Sequence, residues 1–504
     1  MAVIFHTFKK HYPIRMTHTA LSSCNTSGLS MYIPSSINPW DVPKAKHVYR
    51  RLGYGASQNR LNLALMMSPS QVVDNLVDSA TSLPLTPAPF WSDYTFFDFN
   101  DFDSENRQYF RDWKLLTGNN IISEDLRGRM AMFWFNHFVA EVDVYGYSPF
   151  LYKYYNIIER NTLGNFKELL KEIGLSAAML IYLNGFDNTN LSPNENYGRE
   201  LYELFTLGEG NGYTQRDIIE TAKALTGYNH QDVYGGEIYF DSSTFVDEDK
   251  TIFGQTGNWN YDDVIDILFE QKSEAVAFYI CKKLYRYFVS PEVGAYVEDA
   301  IIRPLATTFI DNNFEIVPVL KQLFKSEHFF DEKAIGVIIK SPLDLIFQFI
   351  NETELPYTDT LMQSFTYQAG LLGQKLFDPP NVAGWQGDED WISNATLIGR
   401  WEMLKFYLYI LLESIHVGQF VTLARNLSND SRDPAYITRV VIDFLNPKPL
   451  FTESDYNIAT DIFKWEVPQN YYDDGLWDLD WEEAPYQVYL LLGHIGTIPE
   501  FQLR

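Results

Sequence analysis

Four polar residues whose types suit acid–base chemistry lie close together between residues 193 and 208. Their spacing of three and four residues puts them on one face of a helix, since each residue turns the chain by about 100°. Neighbouring carboxylates push each other's pKa values apart, so that one can act as a general acid and the other as a base. We therefore expect Glu200 and Glu203 to be catalytic, with Arg199 as their charge partner. Asn196, on the same face, is expected to contact substrate.

The separation of the two glutamates favours a particular reaction class. Carboxylates one helical turn apart lie nearer the short separation of retaining glycosidases than the longer separation of inverting ones. The chain also has 11 tryptophans and 33 tyrosines, whose rings stack on sugars where they are exposed. We expect a carboxylate-based hydrolase or lyase acting on a glycan or another polymer, with a glycan or a small molecule as its ligand.

The same helix also fits a structural interpretation. Ser192 and Glu195 have the spacing of a capping box, in which a hydroxyl caps the helix and a carboxylate bonds back. Arg199 stands four residues from Glu195 and from Glu203, the spacing of ordinary surface ion pairs. The alternative function is therefore a non-catalytic binding or scaffold protein, whose polar helix holds two helical lobes together.

A second helix follows directly after Gly208 and Gly210, which end the first one. Thr214 and Asp217 form its capping box, and the short link puts Asp217 and Glu220 within reach of the first helix. The sequence identifies no cofactor, although calcium or magnesium would suit such oxygen ligands. No spacing of cysteine and histidine indicates a metal site.

Four further residues extend the predicted site. His137 lies in an apolar helix predicted for residues 124–138, where a hydrogen-bonded core histidine is the commoner explanation. Its imidazole nevertheless makes it a catalytic candidate. Arg51, together with Asn381 and Trp385 from a loop made rigid by two prolines and two glycines, is a candidate for a substrate-binding rim.

Helical periodicity dominates the chain and determines the predicted fold class. One helix is predicted at residues 167–183, for example, whereas residues 229–260 alternate between apolar and polar types and predict a small antiparallel excursion. We expect a mainly α, multi-helical globular protein with two packed helical lobes. The predicted boundaries are an N-terminal extension at 1–38, a first lobe at 39–260 and a second lobe at 261–504.

The charge of the chain excludes several classes of partner. Its 66 acidic and 39 basic residues give a formal net charge of −27, which repels nucleic acid and anionic membrane surfaces. No window approaches the ~18 apolar residues of a membrane-spanning helix, so no membrane insertion is expected. The N-terminus shows no signal peptide, and we expect a cytoplasmic protein, with export left open by a misassigned start codon. The oligomeric state is not predicted.

Nine segments spread over the chain carry recognisable patterns. They are His47–Gly55, Phe133–Phe138, Met179–Leu183, Pro193–Gly208, Tyr213–Thr214 with Asp217, Leu225–Gly227, Lys283–Arg286, Pro379–Trp385 and Pro499–Gln502. Taken in order, they resemble a large bacterial family catalogued as domain of unknown function 1800. The resemblance covers nearly the whole chain but implies no established activity, and many members of that family look exported.

The sequence departs from the family pattern at two places. The position of Phe135 is usually a histidine, giving Trp-His-Asn-His, and a His-Asp pair usually precedes the lysine that corresponds to Lys250. Here Phe245 and Val246 stand before that lysine. If the family uses imidazoles for metal binding or proton transfer, this chain lacks at least two of them. The resemblance therefore favours a carboxylate mechanism, or a retained fold with a binding role.

Overall fold

Local capping decides where the helices begin. The computed structural model describes residues 27–504. Asp41 accepts a hydrogen bond from the backbone N–H of Lys44 and starts the first helix. The capping box predicted for Thr214 and Asp217 is confirmed, because each side chain bonds the other residue's backbone N–H.

Helices form most of the described chain, which confirms a mainly α protein. Before residue 228 they are α1 (Val42–Leu52), α2 (Gln58–Leu65), α3 (Pro69–Ser82), α4 (Phe102–Ser123), α5 (Leu126–His137), α6 (Val142–Tyr145), α7 (Ser148–Asn161), α8 (Phe166–Gly174), α9 (Ala177–Tyr182), α10 (Glu195–Glu200) and α11 (Gln215–Ala224). After residue 260 they are α12 (Tyr261–Gln271), α13 (Ser273–Phe288), α14 (Ala295–Val297), α15 (Arg303–Asp311), α16 (Ile316–Phe324), α17 (Pro342–Thr353), α18 (Asp359–Leu371), α19 (Asn394–Leu412), α20 (Gly418–Ser428), α21 (Pro434–Leu445), α22 (Glu453–Phe463), α23 (Gln469–Asp473) and α24 (Ala484–Ile495). Two π-helical turns are Leu201–Thr206 and Glu298–Ile302.

The single helix predicted at residues 167–183 is wrong, because the structure divides it into α8 and α9. α8 ends at Gly174, where an added Cβ would lie 2.0 Å from the hydroxyl oxygens of Tyr197 and Tyr261. Ser176 then caps α9 through its side chain. Two tyrosines therefore occupy the space that a longer side chain would need, and the chain turns there.

The antiparallel excursion predicted at residues 229–260 is confirmed as two small sheets. β1 (Tyr228–His230) pairs with β2 (Tyr239–Phe240), and β3 (Lys250–Ile252) pairs with β4 (Gln255–Gly257). β3 packs against α11. This arrangement positions a lysine and several carboxylates described below.

The two predicted lobes share one continuous hydrophobic core. α4 packs against α18 and α3 packs against α16, so helices from both sides of residue 260 meet directly. The lobe boundary itself stays a prediction. Of the predicted extension, residues 1–26 lie outside the described residues, whereas Tyr32 is buried and its N–H donates to the carbonyl of Lys325. Within residues 27–504, no helix has the length and apolar character needed to cross a membrane.

Buried ion pairs join the two halves of this core. Arg50 of α1 and Glu352 of α17 are each 1% exposed, and the Arg50 Nε to Glu352 Oε1 distance is 2.5 Å. Arg129 of α5 pairs with Asp344 at the start of α17. A buried charge without a counter-charge is strongly unfavourable, so these pairs fix how α1 and α5 lie against α17.

Glu352→Gln should lower the free energy of unfolding by about 3–5 kcal/mol, because it leaves the Arg50 guanidinium buried without a counter-charge. Asp299→Asn provides the matched control, since it breaks an ion pair to Arg303 in which both side chains are mostly exposed. The control should change stability by about 1 kcal/mol or less. Urea denaturation followed by circular dichroism measures both, and equal effects of the two substitutions would contradict the interpretation.

Candidate functional site

The helix predicted between residues 193 and 208 is an α-helix that continues as a π-helical turn. α10 ends at Glu200, and residues 201–206 follow with wider hydrogen bonding. Asn194, not Ser192, caps α10, because the Asn194 side chain accepts from the N–H of Asn196 whereas the Ser192 N–H bonds back to Thr189. The predicted capping box is therefore wrong. Isolated π-helical turns inside helices are frequent at functional sites.

Side chains of the turn itself and of neighbouring elements bond the carbonyl groups of this turn. The Thr206 hydroxyl donates to the Leu201 carbonyl at 2.6 Å. The Tyr279 hydroxyl, from α13, donates to the Leu204 carbonyl at 2.9 Å. Buried carbonyl groups that lose regular helical partners need such replacements. The turn is therefore held by the surrounding fold.

His137 is the third of these partners. Its Nε2 lies 3.0 Å from the carbonyl oxygen of Phe205, which makes Nε2–H the donor and fixes the tautomer. Burial and the nearby charge of Lys283 hold the pKa of His137 well below its ordinary value, so the ring is neutral. The side chain is only 3% exposed. The structure places this predicted catalytic residue behind the turn, where it positions the backbone.

The two predicted catalytic glutamates differ in their surroundings. Arg199 forms ion pairs with Glu195 at 3.2 Å and with Glu203 at 3.3 Å, at the spacing expected from the sequence. The Glu200 carboxylate forms no hydrogen bond or ion pair with any residue in 27–504. Burial, followed by the charge of Glu203, raises the pKa of Glu200, and Arg199 opposes this shift. Glu200 therefore keeps its proton to a higher pH than an exposed glutamate does.

A tyrosine–glutamate pair that sequence reasoning missed lies in the electrostatic range of Glu200. The Tyr182 hydroxyl, at the end of α9, donates to Glu141 Oε1 at 2.5 Å. Burial, then the hydrogen bond to Glu141, raises the pKa of Tyr182, and the charges of Glu200 and Asp378 raise it further. Nothing in the spacing of Glu141 indicated this role. Tyr182 stands in one of the family-like segments, which was its only sequence indication.

Asp378 begins the Pro- and Gly-rich loop and forms a second carboxylate pair. Lys375 bridges Asp378 and Asp143, at 2.8 Å from the Asp143 carboxylate. Burial raises the pKa of Asp378, whereas the hydrogen bond from Lys375 lowers the pKa of Asp143. The charges of Glu141, Glu200 and Asp378 all raise the pKa of Tyr182, and these three acids are the carboxylate cluster around Glu200 in electrostatic terms.

The two predicted substrate contacts in this loop have different surroundings. Asn381 is exposed, and its side chain accepts from the N–H of Ala383. Trp385 is only 6% exposed, and its backbone forms two hydrogen bonds with the Asn136 side chain, at 2.6 and 3.0 Å. The predicted surface role of the Trp385 ring is therefore corrected to a packing role. Asn136, next to His137, ties the loop to the end of α5.

Two other predicted substrate contacts are engaged within the protein. Arg51 is fully buried, and its Nη2 donates to the Ala334 carbonyl at 2.7 Å, so the expected place in a surface rim is wrong. The Asn196 side chain is partly exposed and donates to the Leu183 carbonyl at 3.1 Å. Asp217 and Glu220 were expected to reach α10, but they accept from the N–H groups of Phe253 and Thr251 and hold β3 instead.

Phenylalanine rings stand at the two positions, Phe135 and Phe245, where the family resemblance leads one to expect histidine. Phe135 is fully buried and packs against Phe377 and Trp385, with centroid distances of 5.3 and 6.3 Å. Lys250 is also fully buried; its Nζ lies 4.3 Å from the centroid of Phe245 and donates to Asn258 at 2.7 Å. Among residues 27–504, no group of three or more His, Cys, Asp or Glu side chains is arranged to hold a metal ion.

Comparison with known proteins identifies one relationship. A family model described as "Protein of unknown function (DUF1800)" matches residues 47–503. No curated protein and no solved structure matches the chain.

Replacing His137 by phenylalanine tests its positioning role. The ring volume remains, but the hydrogen bond to the Phe205 carbonyl is lost, which should cost about 1–3 kcal/mol of unfolding free energy. Amide hydrogen exchange at residues 201–206 should accelerate. His416→Phe is the control, because the His416 imidazole makes no hydrogen bond within the described chain. Unchanged exchange at residues 201–206 would show that His137 does not hold the turn.

Glu200→Gln should raise the melting temperature at pH 7. A raised pKa means that the folded state binds the Glu200 proton more tightly than the unfolded state, so this group lowers stability as pH rises above about 4.3. Glutamine does not ionise and avoids that loss. The gain should therefore disappear when melting is measured at about pH 4 and below.

Glu203→Gln is the matched control for this measurement. It removes an ion pair to Arg199 and should leave the melting temperature at pH 7 unchanged or slightly lower. If Glu200→Gln melts below the natural chain at pH 7, the Glu200 carboxylate stabilises the folded protein. That result would contradict an unpaired Glu200 with a raised pKa.

Proposed function

Since the chain belongs to the DUF1800 family, whose function is unknown, its activity must be argued from the site, and we propose a carboxylate-based hydrolase or lyase. The proposed substrate is a glycan or another polymer. The observation that carries the proposal is the half-buried Glu200 carboxylate, which has no ion-pair or hydrogen-bond partner in the described chain and a raised pKa. A carboxyl group that keeps its proton to a higher pH than an exposed glutamate does can protonate a leaving oxygen.

The neighbouring residues support complementary roles. Glu203 is held in an ion pair with Arg199, and its carboxylate is the proposed nucleophile of the short-separation, retaining reaction. In hydrolysis, Glu200 would give its proton to the leaving oxygen as Glu203 attacks the sugar carbon, and water would then break the glycosyl–Glu203 bond while losing a proton to Glu200. For elimination, the Tyr182 hydroxyl and Glu141 provide a second acid–base pair at 2.5 Å.

Substrate contacts are proposed for the exposed parts of the same region. Asn196 is partly exposed beside Glu195 on α10, and Asn381 is exposed on the 378–387 loop. Binding of calcium or magnesium by these carboxylates is a separate proposal, tested by a shift of the melting temperature on titration of either ion.

A non-catalytic binding or scaffold role is the second proposal, and the surroundings of Phe135 favour it. This position is filled by a phenylalanine packed among other rings, and His137 serves the backbone of the π-helical turn. A member of the family that kept the fold and replaced imidazoles by packing residues would have these features. In that case Glu200 and Glu203 would contribute to recognition of a ligand without turnover.

The two proposals are separated by turnover of polysaccharides. The natural chain, Glu200→Gln and Glu203→Gln are incubated with neutral and acidic polysaccharides, and new reducing ends and unsaturated products are measured. Loss of the general acid should lower the rate at least about 100-fold for Glu200→Gln. Glu209→Gln, an exposed change just beyond the turn, is the control and should keep full activity. Activity that survives Glu200→Gln would overturn the catalytic proposal, and no turnover by the natural chain would favour the binding role.

A further inference from the structure

A cleft of about 520 Å³ shares no lining residue with the carboxylate cluster around Glu200. It lies between the start of α2 and the end of α17, with residues 122–123 at one side. Its volume falls within the range of small-ligand sites, which is about 300–1,000 Å³. None of the roles assigned above uses it.

Gly55, in the family-like segment at residues 47–55, lines this cleft, and Gly53 of the same segment packs closely against Asp125. Gly55 has φ +81°, and an added Cβ would lie 2.8 Å from Cγ of Glu352. At Gly53 an added Cβ would lie 2.7 Å from the carboxylate of Asp125. Asp125 itself has φ 47°, a conformation that non-glycine residues rarely adopt, and pairs with Arg60 at the cleft. Of this segment, Gly55 thus lines the cleft, and close packing at both glycines leaves no room for a side chain.

Several polar groups of the cleft have unused hydrogen-bonding capacity. Ser57 is only 8% exposed, caps α2 without a side-chain bond, and its hydroxyl has no partner within residues 27–504. Asn351 uses its amide N–H on the Ile122 carbonyl at 3.0 Å, which leaves its side-chain oxygen as an acceptor. Glu354 is exposed, and its carboxylate makes no hydrogen bond or ion pair in the same part of the chain.

Part of the cleft lining is apolar and is fixed in place. Leu355, Pro356 and the half-buried ring of Tyr357 form it. The Tyr407 hydroxyl donates to the Leu355 carbonyl at 2.8 Å and to the Pro356 carbonyl at 3.2 Å. The lining thus combines a ring and aliphatic carbons with hydroxyl, amide and carboxylate groups.

We propose that this cleft binds a neutral carbohydrate unit. A sugar has an apolar C–H face that packs on an aromatic wall, and hydroxyl groups that both donate and accept hydrogen bonds. The charge of Arg60 is balanced by Asp125, and Glu354 adds an unpaired negative charge, so an anionic ligand is disfavoured. The Ser57 hydroxyl and the Asn351 oxygen face the sugar hydroxyls, and Tyr357 packs on its C–H face.

Isothermal titration calorimetry on the full chain tests the proposal. The probes are neutral oligosaccharides of glucose, xylose, mannose and N-acetylglucosamine, with oligogalacturonate as the anionic comparison. At least one neutral probe should bind with millimolar affinity or better, which corresponds to about −4 kcal/mol. Oligogalacturonate should bind more weakly. Absence of binding by every neutral probe, or tighter binding of oligogalacturonate, overturns the proposal.

Variants locate the binding in the cleft. Ser57→Ala and Tyr357→Leu should each weaken the affinity about fivefold or more, the loss expected for one hydrogen bond or one ring contact. Tyr367→Leu, on an exposed ring of α18, is the matched control and should leave the affinity unchanged. Glu354→Ala removes an exposed carboxylate acceptor without altering packing, and should weaken binding of the neutral probe even if Tyr357→Leu fails to fold. Affinities unchanged by Ser57→Ala and Glu354→Ala overturn the proposal.

Carbohydrate binding in the cleft does not depend on the proposed chemistry at Glu200. Glu200→Gln should bind the neutral probe with the affinity of the natural chain, because Glu200 does not line the cleft. If the natural chain turns over no polysaccharide, the proposal of carbohydrate binding is not affected. If no neutral probe binds, the test of turnover is not affected.

Discussion

The two carboxylates of α17 are the constraint on which the rest of the fold depends. Asp344 and Glu352 stand eight residues apart, near the two ends of one buried helix, and each holds an arginine from the N-terminal part of the chain. Arg504, the last residue, also lies 3.2 Å from Asp344. The protein has a formal net charge of −27, but arginine and lysine side chains are buried in its interior around these two acids. Elements distant in sequence can therefore meet in only one arrangement.

α5 transmits this constraint to the candidate site. Arg129, near its start, is fixed by Asp344, and the last two residues of the same helix are Asn136 and His137. Asn136 bonds the backbone of the 378–387 loop, and His137 bonds the π-helical turn. One helix thus fixes these two segments relative to each other. A polar site on such supported elements is more precisely placed than one on free loops.

The sequence was sufficient where local chemistry decides structure. Caps and breakers located α11 and the change to strands after residue 228, because these depend on neighbouring residues. It failed where distant groups decide. At the break after Gly174, tyrosines of α10 and α12 leave no room for a side chain, and the wide turn at 201–206 accepts from donors of α5 and α13. Periodicity alone assigns such a segment to a regular α-helix, since it contains no information about those partners.

The candidate site shows the same division. The ion pairs of Arg199 follow from spacing along one helix, whereas the approach of Tyr182 to Glu141 joins separate elements. Around the turn, Glu195 and Glu203 each have Arg199, and Glu141 has a tyrosine hydroxyl. Glu200 alone among these four has no partner in the described chain, although it is partly removed from water. Buried carboxylates such as Asp344 and Glu352 have counter-charges, whereas this partly buried carboxyl has none, and an unpaired, partly buried acid is suited to proton donation.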